Sequence, residues 1–361
     1  DPHSVSAATL YVKSEDQPPL QVRLAIGQDG MVRQEMDLKK NGLTPFARTY
    51  YWFQLFLRNG QSATSAAYWF DYDDNRFDWQ SLSASPITVY WTGSDGGTGQ
   101  QIMDVAQRAL QASVELPLSA DVGKVRIYAY NHASDLPALA RLSWADGHAI
   151  PDIGVILLSL EPQADELSLQ LEREIPHELT HIRLFRTIGQ AYSSLPAWLA
   201  EGLAVNAELY PNPEYERILG DAARANDLFD MQALCSGFPD GGSGALLAYA
   251  QSASFVGFLQ SRYGNSGISS LLQQYADHQS CANGLRSAFG VGLDQLQADW
   301  LNHSLHLYSA SFVTQEILPY ALIGALALGS VGMATWAGNR LLNRTRSSGE
   351  AGGGGQTGRE K

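Results

Sequence analysis

Thiols and positive charge are both scarce in this chain. Only two cysteines occur in 361 residues, too few for a disulfide-dense scaffold, and Cys235 and Cys281 do not match a zinc-knuckle spacing. They are read as one disulfide of an exported domain, with two reduced core cysteines as the alternative. Lysine and arginine total 24 against 37 acidic residues, giving a net charge of -13. No sizeable basic cluster occurs in the first 316 residues, which excludes nucleic acid as a partner, since a phosphate backbone rewards clustered cations. Asp1 is preceded by neither an initiating methionine nor a signal segment, as expected of a mature chain after leader removal. The hydrophobic share of 45% excludes overall disorder, and the length suits two domains.

What stands out is His177, Glu178, Leu179, Thr180 and His181, an HExxH box. Residues four apart share one face of a helix, so both imidazoles can meet one metal ion while Glu178 projects beside its water. Three fixed residues of common types arise by chance in roughly 1% of chains this size, so the surroundings must carry the decision. Downstream, Gly189 is a plausible helix stop, and Ser194 with Pro196 a plausible start. A helix, a turn and a second helix would return Glu201 to the histidines. Hydrolytic zinc sites commonly use three protein ligands of the His2Glu type and keep a fourth position for water. Among the other polar residues, Glu208 is expected to orient a ligand histidine or to lie on a solvated face, and His148, near the cleft strand, to occupy a surface loop, with contact to substrate as its alternative.

The HELTH box followed by Trp198, Leu199, Ala200, Glu201 and Gly202 resembles the gluzincin metallopeptidases of the thermolysin and M1 aminopeptidase clan. The texture is closest to the bacterial peptidase-MA-like domain family, over about Ile87 to Leu307. The resemblance implies His177, His181 and Glu201 as ligands of one Zn2+, Glu178 as general base, and a peptide or protein substrate. It also implies an oxyanion donor from the helical lobe, for which Tyr249 is the candidate and core packing its alternative. The segment Gly147 to Asp152 lacks the glutamate with which M1 enzymes bind a free amino terminus, which speaks against aminopeptidase specificity.

The implied architecture is α+β. Residues 1–82 alternate in short strands, among them Leu20 to Leu24, Tyr50 to Leu57 and Ala66 to Tyr72, with an Asn59-Gly60 hairpin signal. This predicts a β-sandwich of immunoglobulin or fibronectin type, a spacer or docking module. Trp52, Trp69 and Trp79 belong to its core or to a binding surface for glycan or protein. Residues 86–307 form the metallopeptidase domain. Strands are expected at Ile87 to Trp91, around Val125 to Ala129 and at Ile153 to Leu160, and a helix at Ile102 to Leu110. Leu167, Leu171, Ile175, Leu179 and Ile182 give the motif helix a buried stripe, interrupted by Pro176, which should kink or restart it. From Ala197 to Leu307 a helical lobe is expected.

Residues 317–337 carry no charge and would span roughly 30 Å at about 1.5 Å per residue, so they read as one transmembrane helix, with a buried core helix as the alternative. Arg340, Arg344 and Arg346 open a basic, Gly-rich tail over 338–361, placing that tail in the cytoplasm and the catalytic domain outside. The chain is thus expected in the cell membrane as a single-pass protein, with the lipid bilayer as a partner. The alternative is a catalytically silent surface binding or adhesion protein on the same scaffold.

Overall fold

A computed structural model of the chain describes residues 4–14, 18–27, 29, 31–36, 43–93, 96–112, 116–137, 147–160, 164–239 and 241–312, together with Tyr320, Ile323 and Trp336. The amino end is an antiparallel sheet of five strands: β1 (Val5–Ser14), β2 (Leu20–Leu24), β3 (Arg48–Leu57), β4 (Ser62–Thr64) and β5 (Tyr68–Asp71). The order is β2-β1-β3-β4, and β5 also pairs with β3. Successive side chains of a strand point to opposite faces. Ala8, Leu10 and Val12 therefore fall on the buried face with Leu24, while Tyr11 stacks on Trp52 on the other, ring centroids 5.2 Å apart.

The expected sandwich over 1–82 is, among the described residues, this one sheet. Its apolar face is covered by Ile26, Met36 and Leu43 rather than by a second sheet. The Asn59-Gly60 turn closes the β3-β4 hairpin, with Gly60 at φ +82°, the left-handed region that favours glycine. The next strand is thus Ser62–Thr64, and the expected Ala66–Tyr72 strand forms as the shorter β5. The domain edge at residue 82 falls inside β6 (Gln80–Ala84), which pairs with β7 (Ile87–Trp91) of the following sheet. Leu82 faces the core of that second sheet, which draws this segment away from the amino-terminal one.

The second sheet is mixed, in the order β6-β7-β8-β10-β9, with β8 at Val125–Tyr130, β9 at Gly147–Ile150 and β10 at Val155–Ser159. β7, β8 and β10 run parallel, and β9 lies antiparallel to β10 at the edge. Helices α1 (Gly96–Ala112) and α2 (Ala164–Ile188) cover one face. Ile87, Val89, Val125, Ile127, Ile156 and Leu158 meet the helix stripe Leu171, Ile175, Leu179 and Ile182 there. The opposite face holds Phe46, Tyr128, Tyr130, Val155 and Leu157 with Phe77 and Trp79 against them, so Trp79 is a core residue whereas Trp69 is 56% exposed. Asp74, with its side chain fully buried, ties this face together: it accepts from Arg76 at 2.6 Å and from the Tyr130 hydroxyl at 2.8 Å.

The rest is helical as expected: α3 (Ala197–Asn206), α4 (Pro213–Ala225), α5 (Gly242–Ala276), α6 (Cys281–Phe289) and α7 (Leu293–Phe312). The chain divides into two units, Asp1–Gln297 and Ala298–Lys361. No helix among the described residues is long and apolar enough to cross a membrane. The span expected over 317–337 lies outside the described residues, apart from Tyr320, Ile323 and Trp336, as does the tail over 338–361.

Candidate metal centre

Helix α2 carries His177, Glu178 and His181 on consecutive turns, and α3 returns Glu201 to them. The return begins at Gly189, at φ +61°, and passes through a short 3-10 turn at Gly189–Ser194 before Pro196 opens α3. α3 is held by burial on almost every side, with Trp198, Leu199 and Leu203 fully enclosed. Each such side chain contributes about 1.5–3 kcal/mol. Gly202 allows close approach to α5: a side-chain carbon there would stand 2.5 Å from both the Ser252 carbonyl oxygen and Val256 Cγ2. Trp198 packs edge-on to Phe255, and its indole nitrogen lies 3.4 Å from the sulfur of Cys281, which is disulfide-bonded to Cys235 as expected.

The three expected ligands converge. Glu201 Oε2 lies 3.2 Å from His177 Nε2 and 3.4 Å from His181 Nε2, and the three ligand atoms fall within 4.8 Å of one another. A tetrahedral zinc ion with bonds near 2.0–2.1 Å sets its ligand atoms roughly 3.3 Å apart, so the carboxylate-imidazole separations already fit it. Each imidazole also has a partner on its far nitrogen. His177 Nδ1 faces Glu208 Oε1 at 3.4 Å, and the Tyr192 hydroxyl lies 3.0 Å from His181 Nδ1. These contacts aim both Nε2 atoms at the shared point.

The electrostatics of the histidines and the carboxylate are mutual. Burial pushes the Glu201 carboxyl up and the His177 imidazole down, yet the net direction is the reverse. His181 and His177 hold Glu201 well below the ordinary carboxylate range, while Glu201 and Glu208 raise His177 well above that of histidine. The pairing keeps Glu201 a carboxylate, the form in which it can hold a divalent ion.

Pro176 does not break α2. Lacking an N–H, it cannot bond the Glu172 carbonyl one turn back, and that carbonyl instead accepts from the Leu209 amide at 2.9 Å. The carbonyl freed by the proline therefore clamps the segment that carries Glu208 beside His177. The Thr180 hydroxyl donates to the Pro176 carbonyl at 2.8 Å, filling in the following turn.

Around the ligands opens a cleft of about 380 Å3. Glu178 lines it and is 6% exposed. Tyr249 reaches it from α5, its ring 5.9 Å from that of His177. Burial first, then the charges of Glu201 and Glu178, push the Tyr249 hydroxyl far above the ordinary phenol range, so it stays a protonated donor. His148 lies on β9 in the cleft, not in a surface loop, and burial lowers its pKa against the pull of Glu178. Tyr192, Tyr215 and Glu174 also line the cleft, and no motif in the sequence singles them out.

Comparison with curated proteins returns no match. The family profile of the peptidase MA superfamily matches residues 105–306, a stretch that contains α2, α3 and most of the helical lobe. That match spans more than half of the chain and includes all three converging ligands, so the chain belongs to the peptidase MA superfamily and is a metallopeptidase.

Proposed function

We propose that the protein is a membrane-anchored, outward-facing zinc peptidase in which Glu178 is the general base and Tyr249 the oxyanion donor. The convergence of two imidazoles and one carboxylate, at 3.2 and 3.4 Å, is the observation that carries this reading. Zinc held by His177, His181 and Glu201 would act as a Lewis acid and would bring the pKa of a water to about 7. The Glu178 carboxylate takes that water's proton and passes it to the leaving amine. Tyr249 donates its hydroxyl proton to the hydrogen bond that the developing oxyanion requires. β9, an edge strand of the second sheet among the described residues, offers its backbone to an extended peptide.

The uncharged stretch 317–337, with Arg340, Arg344 and Arg346 behind it, supports the anchor and the orientation. The amino-terminal sheet is then a spacer or docking module held outside the membrane.

Replacing Glu178 with Gln tests the chemistry. Zinc content should stay at its native level while hydrolysis of unfolded protein or peptide falls by about a hundredfold to ten-thousandfold. Full hydrolysis in Glu178→Gln would remove Glu178 from the mechanism. A native chain that cuts no peptide would instead indicate a silent binding protein on this scaffold.

A further inference from the structure

Among the described residues, the segment between α4 and α5 has no regular structure beyond a 3-10 turn at Ala233–Cys235, yet it is fastened repeatedly. Near its start, the buried side-chain amide of Gln251 on α5 accepts from the Phe229 N–H at 3.0 Å and donates to the Phe229 carbonyl at 2.7 Å. Gln297 of α7 accepts from the Met231 N–H at 2.8 Å, and the side chains of Met231 and Leu234 are fully enclosed. Cys235 is then disulfide-bonded to Cys281 at the start of α6. Buried contacts and cross-links of this kind oppose local opening, so Phe238, which follows closely after Cys235, is held on a short tether.

Phe238 stands against Tyr249, with ring centroids 5.0 Å apart and planes at 85°, an edge-to-face pair. Tyr249 lines the cleft with His177, whereas Phe238 is not among the described residues that line it. Phe238 therefore backs the phenol from outside the cleft and acts on the reaction through Tyr249. Pro239 lies against the first turn of α5: a side-chain carbon on Gly244 would stand 3.4 Å from Pro239 Cβ. The helix that carries Tyr249 thus holds the beginning of the segment with Gln251 and meets its end with Tyr249 and Gly244.

A hydrogen-bond donor serves an oxyanion only where it is already in place, and a misplacement of about 1 Å can cost about a hundredfold in rate. Tyrosine carries its hydroxyl at the far end of a ring, so a small tilt of the ring swings the donor away. An edge-to-face partner resists that tilt, because the ring quadrupoles favour this geometry. We propose that Phe238 is a positioning residue for catalysis: fixed by the anchored segment before it, it holds the Tyr249 ring so that the hydroxyl meets the developing oxyanion. The inference rests on the reading of Tyr249 as the oxyanion donor.

The test measures peptide hydrolysis by the zinc-loaded full chain, Phe238→Leu, Tyr249→Phe and the double variant. Leucine keeps an apolar side chain at 238 and removes the ring. Phe238→Leu should lower kcat by about tenfold while KM stays within about twofold and zinc content stays native, since the donor acts in the transition state. Phe238→Tyr, which restores a ring, should recover most of the lost kcat. In the Tyr249→Phe background, itself lower by about a hundredfold, the change at 238 should cost nothing further. A loss of folded enzyme lowers kcat alike in both backgrounds, so it cannot imitate that coupling. Native kcat in Phe238→Leu, or the same fold loss with and without the Tyr249 hydroxyl, would overturn the proposal. Native kcat in Tyr249→Phe would instead remove Tyr249 as the donor, and the role of Phe238 with it. If the native chain is no faster than Glu178→Gln, the peptidase reading itself fails.

Discussion

His177 and His181 turn their outer nitrogens to different partners, a carboxylate from Glu208 and a phenol from Tyr192. The phenol is neutral, since burial and then the charges of Glu201 and Glu178 push its pKa far up. It orients His181 without adding charge to a cleft already rich in carboxylates. Removing it in Tyr192→Phe should weaken zinc binding by about tenfold, read by competition with a chromophoric chelator. An unchanged affinity would show that packing alone aims the ring. At this scale the ligand set was legible because HExxH spacing is a geometric statement about one helix face, and a Glu beyond a turn completes it. Tyr192, Tyr215 and Glu174 were not. A tyrosine in a short 3-10 turn, or a glutamate on a mixed helix face, has no periodicity that separates it from a solvated residue. His148 was misread for a related reason: its four-residue strand is too short for alternation to show.

Among the elements, α2 is joined to the segment after α3 through a residue that sequence reasoning treats as a helix breaker. Pro176 frees the Glu172 carbonyl, and the Leu209 amide takes it. In Pro176→Ala the restored N–H competes for that carbonyl, one turn of α2 regains its own ladder, and the hold on the Glu208 segment loosens. Hydrogen exchange at the Leu209 amide should then quicken and zinc affinity fall several-fold, the equivalent of about 1 kcal/mol. Slower exchange at Leu209 with tighter zinc binding would mean that the proline only strains the site. The sequence pattern could place the proline but not its purpose, because the compensating donor lies 33 positions downstream in a segment without regular structure. Strands were the more readable elements. Ile87–Trp91 and the buried run at Val155–Ser159 form as expected, their alternation or continuity reflecting which faces the helices cover. The amino-terminal sandwich was over-read, since alternation reports that one face of a strand is buried and not that a second sheet does the burying.

For the whole molecule, charge and hydropathy divide the chain. The matched peptidase region ends at residue 306, and the uncharged stretch 317–337 begins soon after it. If that stretch anchors the protein, the full chain should partition with detergent or vesicles, whereas a chain ending at residue 312 should stay in the aqueous phase with its peptidase activity intact. Equal partitioning of the two would remove the membrane from the proposal. The net charge of -13 favours solubility and gives the chain as a whole no attraction to anionic lipid. The decisive property of the molecule remains one metal site built from two helices. Metal analysis of the purified protein in the absence of chelators should find about one zinc per chain in the native form and in Glu178→Gln, and almost none in His181→Ala. Absence of zinc from the native chain, or full zinc retained in His181→Ala, would contradict the site.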